Sequence, residues 1–217
     1  MKLIITGATG MVGKGALLEA LDSADVSDVL VVSRRPCDIH HPKLQELLID
    51  DFMQIANVAD QLAGYDATLF CLGVSSVGMS EQDYRAATYD LTLAFANTVL
   101  EQNPTMTFCF VSGSGTDINS KTIWSKVKGE AEAALQALPF KGSYMFRPAF
   151  IQPLRGIRSR TAIYNAMYSV LKVISPLLIK VFPNYATTTT QLGNAMIQVA
   201  RHGYDRPVLE AKDITKF

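Results

Sequence analysis

Residues 2–13 read KLIITGATGMVG, and the fold follows from them. KLIIT (2–6) is a short apolar run with β-branched residues, closed by Gly7, which is the pattern of a strand buried on both faces. MVGKGALLEALD (11–22) then repeats apolar positions at helical spacing. Gly7, Gly10 and Gly13 lie between and within these two runs. Gly7 suits a tight turn off the strand. Gly10 suits close approach of backbone to a diphosphate, and Gly13 suits close packing of helix on sheet. A helix start offers free N–H groups and a partial positive charge. Thr9, Met11 and Val12 therefore join the glycines as expected phosphate contacts. The triplet follows a strand, opens a helix and starts a βαβ unit, the context that a dinucleotide-binding turn requires.

Working outward, DVLVVS (28–33), LLID (47–50), ATLFCLG (67–73), TFCFVS (107–112) and GSYMFRP (142–148) read as further strands. FMQIANVADQLAG (52–64) has helical character and stops at Gly64. Ser80 and Asp83 open a long helix that runs to about Gln102, before Pro104. KVKGEAEAALQAL (126–138) is the next helix, ended by Pro139. Such alternation predicts an α/β fold, a Rossmann-type doubly wound parallel sheet of order 3-2-1-4-5-6. The pattern changes after Pro148. Within TTTTQLGNAMIQVARHG (187–203) a helix is expected from about Thr190 to His202, stopped by Gly203. The chain is thus expected to be one domain over 1–217, a dinucleotide-binding core (1–150) with a small C-terminal helical segment in 151–217.

Formal charges cancel and the pI is about 6.8, so no global field draws the chain to nucleic acid or anionic membrane. Cys37, Cys71 and Cys109 form no C-x-x-C pair and suit buried small hydrophobes in a reducing compartment. His40, His41 and His202 show no metal-ligand spacing, and no metal is expected. The first residues hold no secretory h-region, which points to a cytoplasmic protein. Residues 161–182 approach the length of a membrane span, but Lys172, Lys180 and Pro176 interrupt them. Ile163, Met167, Val170, Leu171 and Ile174 recur at helical spacing. A lid or subunit interface fits best, with an interfacial anchor as the alternative. A small-molecule substrate or a protein partner is expected to use residues 155–185, and homodimer formation stays open.

The cofactor's sugar is decided about 20 residues beyond the glycine turn. There the chain offers Ser33, Arg34 and Arg35, where an NAD site normally places an acid. Arginine pairs with a 2′-phosphate through charge-assisted bonds, so NADP(H) is preferred over NAD(H). Asp51 either accepts from the adenine amino group, with Phe52 beside the ring, or caps the following helix. Leu72 and Gly73 are expected to run along the cofactor ribose.

These features resemble the short-chain dehydrogenase/reductase superfamily. The likeness is to its atypical branch, which carries T-G-A-T-G-x-V-G, and to small NAD(P)-binding proteins of the epimerase/dehydratase and TIP30-like type. CLG (71–73), VSGSGTD (111–117), KGEAE (128–132) and FRPAF (146–150) support the likeness, which covers roughly residues 1–150. It implies a catalytic tyrosine and lysine four apart on one helix face, with a serine after strand five. Lys128 matches the lysine, which would also hold the nicotinamide ribose. Ser112 or Ser114 matches the serine. Trp124 stands where the tyrosine belongs, and an indole N–H donates a hydrogen bond but cannot shuttle a proton. Arg147 and Pro148 resemble an R-P-G turn that contacts the carboxamide, with Ala149 in place of glycine.

Three readings of Trp124 follow. The chemistry is gone, another acid among Tyr84, Tyr89, Tyr164 and Tyr185 replaces it, or the register differs. The resemblance therefore implies an NADP(H)-dependent oxidoreductase or epimerase-like protein acting on a small, partly apolar carbonyl or hydroxyl compound. The alternative is a non-catalytic NADP(H)-binding redox sensor or regulatory protein.

Overall fold

A computed structural model describes residues 1–157 and 186–217. Its main sheet holds β1 (Lys2–Thr6), β2 (Asp28–Ser33), β3 (Leu44–Leu48), β4 (Ala67–Phe70), β5 (Thr107–Val111), β6 (Gly142–Arg147) and β9 (Val208–Glu210). The order is β3-β2-β1-β4-β5-β6-β9, and every pairing is parallel. The expected 3-2-1-4-5-6 order is present, with a seventh strand added at the β6 edge. Three residues carry too little periodicity to announce that strand.

Apolar residues face both ways along the central strands because helices cover both faces. On one face Leu3, Ile5, Val29 and Val31 pack with Leu17 of α1 (Met11–Asp22) and Met196 of α5 (Thr189–His202). On the other, Ile4, Leu30, Phe70, Phe108 and Phe110 pack with Phe95 of α3 (Leu91–Gln102) and Ala131 of α4 (Ile123–Ala137).

Several expectations need correction. β3 begins three residues earlier than LLID implies, because an edge strand tolerates Gln45 and Glu46 on exposed positions. Phe52–Leu62 is a 3-10 helix, with non-helical dihedrals at Gln54 and Val58. Its buried anchors Phe52 and Ile55 are three apart, the period of a 3-10 turn. The long helix starts as α2 (Glu81–Arg85), passes through a π-turn over Ala86–Asp90 and continues as α3. Ser80 caps it, accepting from the Asp83 amide at 3.1 Å.

The C-terminal region is not only helical. β7 (Phe150–Gln152) and β8 (Ala186–Thr188) form a small parallel pair, and α6 (Ala211–Ile214) follows β9. Thr188 caps α5 in a capping box with Gln191. Buried Asp213 accepts from Arg206 at 2.7 Å, Lys216 at 3.0 Å and the Glu210 amide at 3.1 Å. Burial alone would push its carboxyl up, but these donors more than offset that and hold it below the usual range. The apolar run 161–182, with Ile163, Met167, Val170, Leu171, Ile174, Lys172, Pro176 and Lys180, lies outside the described residues. So does most of 155–185.

Candidate functional site

The site begins where β1 ends. Gly7 has φ +69°, a conformation that costs glycine nothing and other residues dearly. A side chain there would also meet the Cys71 carbonyl at 2.6 Å. The Gly10 amide closes the turn onto the Gly7 carbonyl at 2.8 Å. A Cβ on Gly13 would collide with that same carbonyl, so helix and turn are in direct backbone contact. Gly10 is the N-cap of α1, and no side chain caps the helix. Its first-turn amides, those of Met11 and Val12 included, are the groups a diphosphate would satisfy. This is a cradle that fits a dinucleotide.

A cleft of about 450 Å³ opens over the turn, lined by Gly7, Thr9, Gly10 and Met11 from the turn and by Ser33 at the end of β2 with Arg34 and Arg35 just after it. Phe52 and Leu72–Gly73 complete it, together with Cys71 and Val74. The last two were not anticipated. Burial pushes up the thiols of Cys71, just after β4, and of Cys109 on β5, Cys71 to about 12, so neither is a thiolate near neutrality. Val12, Gly13 and Asp51 lie outside the lining. Asp51 accepts from the Met53 amide at 2.9 Å, so of its two roles it plays the helix cap here. The buried Thr6 hydroxyl accepts from the Leu72 amide at 3.3 Å and so ties the β4 loop to β1.

Beyond β2 both arginines are exposed, and among the described residues neither is paired with a carboxylate. Ser33 is buried, and its hydroxyl donates to the Arg35 carbonyl at 2.6 Å.

Ser112, Ser114, Trp124 and Lys128, on the loop after β5 and on α4, lie outside this lining. The loop after β5 is held by the buried Ser125 hydroxyl, which donates to the Gly115 carbonyl at 2.7 Å and accepts from the Asp117 amide at 2.9 Å. Ser112 is buried, with its hydroxyl 3.0 Å from that of Thr116. Ser114 is exposed. The six-membered ring of Trp124 lies on the loop: side chains on Gly113 or Gly115 would meet it at 3.5 and 3.7 Å. Lys128 sits one helical turn on. It donates to the Val111 carbonyl at 2.9 Å, with its ammonium 5.2 Å from the Phe110 ring centre. Burial pulls its amine down to about 8, and Glu132 opposes this only in part.

The remaining candidates are likewise outside the cleft lining. Arg147 forms a two-pronged pair with buried Glu132, at 3.0 and 2.5 Å, and reaches Glu210 at 3.0 Å. Its side chain is thereby committed to joining β6, α4 and β9. The Pro148 carbonyl accepts from the Ser114 amide at 2.9 Å. Tyr84 is buried and Tyr89 stacks under Arg85, 4.3 Å from the ring centre. Tyr164 and Tyr185 lie outside the described residues. Among the described residues no cluster of three or more His, Cys, Asp or Glu is placed to hold a metal, and no helix is long and apolar enough to cross a membrane.

Comparison with known proteins matches this geometry. Rat Protein HTATIP2 is 28% identical over 153 residues, covering 69% of this chain and 62% of that protein. Protein fmp52, mitochondrial, of Emericella nidulans is 27% identical over 154 residues, covering 68% and 65%. The chain thus spans less than two thirds of either relative. A short chain dehydrogenase family protein from Francisella tularensis superposes with a TM-score of 0.71 at 12% identity, covering 96% of this chain and 95% of that one. The expectation of a cytoplasmic protein is overturned, since the FMP52 relatives are named mitochondrial. A missing h-region speaks only to the secretory route and carries no information about an organelle. The model of the NAD dependent epimerase/dehydratase family matches residues 3–118, from the first strand through the serine loop. That is more than half of the chain, and the chain belongs to the NAD dependent epimerase/dehydratase family.

Proposed function

We propose that the protein binds NADP(H) in preference to NAD(H), and that it uses the coenzyme as an oxidoreductase on a small, partly apolar carbonyl or hydroxyl compound. One observation carries the cofactor reading. The cleft ends in two arginines without carboxylate partners among the described residues, where an acid would select NAD. Gly7 to Gly13 hold the diphosphate, Arg34 the 2′-phosphate, Lys128 the nicotinamide ribose, and Ser112 or Ser114 the substrate oxygen. Exposed Val74 and Val77 give the loop after β4 an apolar surface suited to such a substrate.

A second reading has its own support. With an indole at position 124 the site holds a donor but no proton shuttle there. The protein would then bind NADP(H) as a sensor and present residues 155–185 to a protein partner or a second copy of the chain.

Purified protein with NADPH and a panel of aldehydes, ketones and quinones separates the two. Oxidation of NADPH above background supports the enzyme. Tight binding without turnover retires it in favour of the sensor. For the cofactor, Arg34→Asp is expected to weaken NADPH binding about 100-fold, the loss of a charge-assisted pair plus a new repulsion, while NADH binding holds. Equal effects on both coenzymes would reject the assignment.

A further inference from the structure

The turn that carries Arg34 and Arg35 is fastened at both of its ends. At the start, the Ser33 hydroxyl reaches forward to the Arg35 carbonyl at 2.6 Å. The Ser33 backbone is itself held, because its carbonyl accepts from the Ile49 amide at 3.0 Å. At the far end, the Cys37 amide donates to Glu46 Oε1 at 2.7 Å. Glu46 belongs to β3, opposite Val31 in the sheet, so this bond anchors the turn to the neighbouring strand. The chain leaves the clamp through Asp38, whose φ of +55° turns it sharply away. Three residues, Arg34, Arg35 and Pro36, are left between the two fastenings, and both arginines line the cleft.

Two neighbouring guanidinium groups repel each other, and each long side chain loses rotamer freedom when it grips an anion. A backbone held in advance removes part of that cost. We propose that Ser33 and Glu46 are positioning residues for cofactor choice: they hold the Arg34–Arg35 turn in the shape that receives a ribose 2′-phosphate. Neither is left a proton to give the phosphate. The Ser33 hydroxyl spends its proton on the Arg35 carbonyl, and Glu46 faces the Cys37 amide from outside the cleft lining. The arrangement also explains why an acid at position 33 would act twice. A carboxylate there repels the phosphate and cannot donate to the Arg35 carbonyl, so the turn is released as well.

This inference rests on the NADP(H) reading, and the test keeps the two apart. Binding is read by calorimetry. The probes are 2′,5′-ADP and 5′-AMP, which differ only in the 2′-phosphate. Wild-type protein that binds both equally overturns the NADP(H) reading and this inference with it. Given a wild-type preference for 2′,5′-ADP, Ser33→Ala and Glu46→Ala are each expected to weaken 2′,5′-ADP about five-fold, the loss of one hydrogen bond, and to leave 5′-AMP unchanged. Glu46→Gln keeps an acceptor oxygen and is expected to stay near wild type, which guards against a Glu46→Ala variant that fails to fold. An unchanged preference in the two alanine variants overturns the inference. So does equal weakening of both probes, which marks a purely structural role.

Discussion

The glycine-turn cleft and the loop after β5 are made to different standards. In the cleft, glycine backbone contacts, an uncapped helix start and a pinned arginine turn lie side by side. At the loop after β5, the polar groups are largely spent within the protein. Ser112 pairs with Thr116, Lys128 with a backbone carbonyl, and Trp124 covers glycines of the serine loop. Binding geometry can therefore be complete while reaction geometry is altered, because the two are built on separate loops of the same sheet. A fold that holds a coenzyme does not fix what is done with it.

The comparison breaks most severely at Gly13. Any side chain there runs into the Gly7 carbonyl, a backbone group with no flexible neighbour to yield. Gly13→Val is expected to destabilise the fold by about 3 kcal/mol, the upper range for overpacking. For a chain of this size that lowers Tm by roughly 6–12 °C. NADPH binding should be lost as well, since the turn must open to make room. A thermal melt and a binding titration check both, and a variant with wild-type stability would show that turn and helix are not in contact.

A smaller effect is expected at the other end, from Trp124→Tyr. A tyrosine four residues before Lys128 restores a group that exchanges a proton, beside an amine that burial has already pulled to about 8. A positioned acid contributes about 100-fold or more in a complete site. With Ser112 tied to Thr116 and Lys128 to Val111, about ten-fold more NADPH oxidation on the best carbonyl of the panel is the expectation. Coenzyme affinity should stay within about two-fold of wild type, since the change is remote from the diphosphate turn. No gain in turnover would mean that the altered end differs in more than one residue.

How far the sequence reveals each end follows from the range of the interactions. The glycine turn is local: Gly7, Gly10 and Gly13 act within one strand–helix unit, so their spacing alone declares them. Arg34 and Arg35 lie at a set distance along the same unit. Cys71 and Val74 reach the cleft only because β4 lies beside β1, and their sequence reads as the tail of an apolar strand. Glu46 is hidden for the same reason, being one of many polar residues until β3 pairs with β2 and brings it to the Cys37 amide. Asp51 shows the opposite difficulty. Its type suits two roles, and only the Met53 amide decides between them. β9 leaves almost no trace, since a three-residue edge strand takes its stability from Met145, Phe146 and Arg147 across from it.

The mildest test asks whether Lys128 takes part in holding the coenzyme, and pH answers it. The amine titrates near 8 in the folded chain against 10.5 for the ordinary side chain. Between those values the unfolded chain binds more protons, so stability of the free protein is expected to rise with pH across that window and level off above it. Coenzyme affinity should move the opposite way. The ammonium form is present below about 8 and is lost as pH rises through that value, and with it goes the charged hydrogen bond to the ribose. NADPH affinity is then expected to fall about three-fold from one pH unit below to one above, a modest part of a charged hydrogen bond. Lys128→Met should flatten both curves. Because the trends have opposite signs, general unfolding cannot imitate them. A wild-type affinity that ignores pH, beside a stability that rises with it, would mean that the lysine stays on the Val111 carbonyl when the coenzyme is bound and contributes to the fold alone.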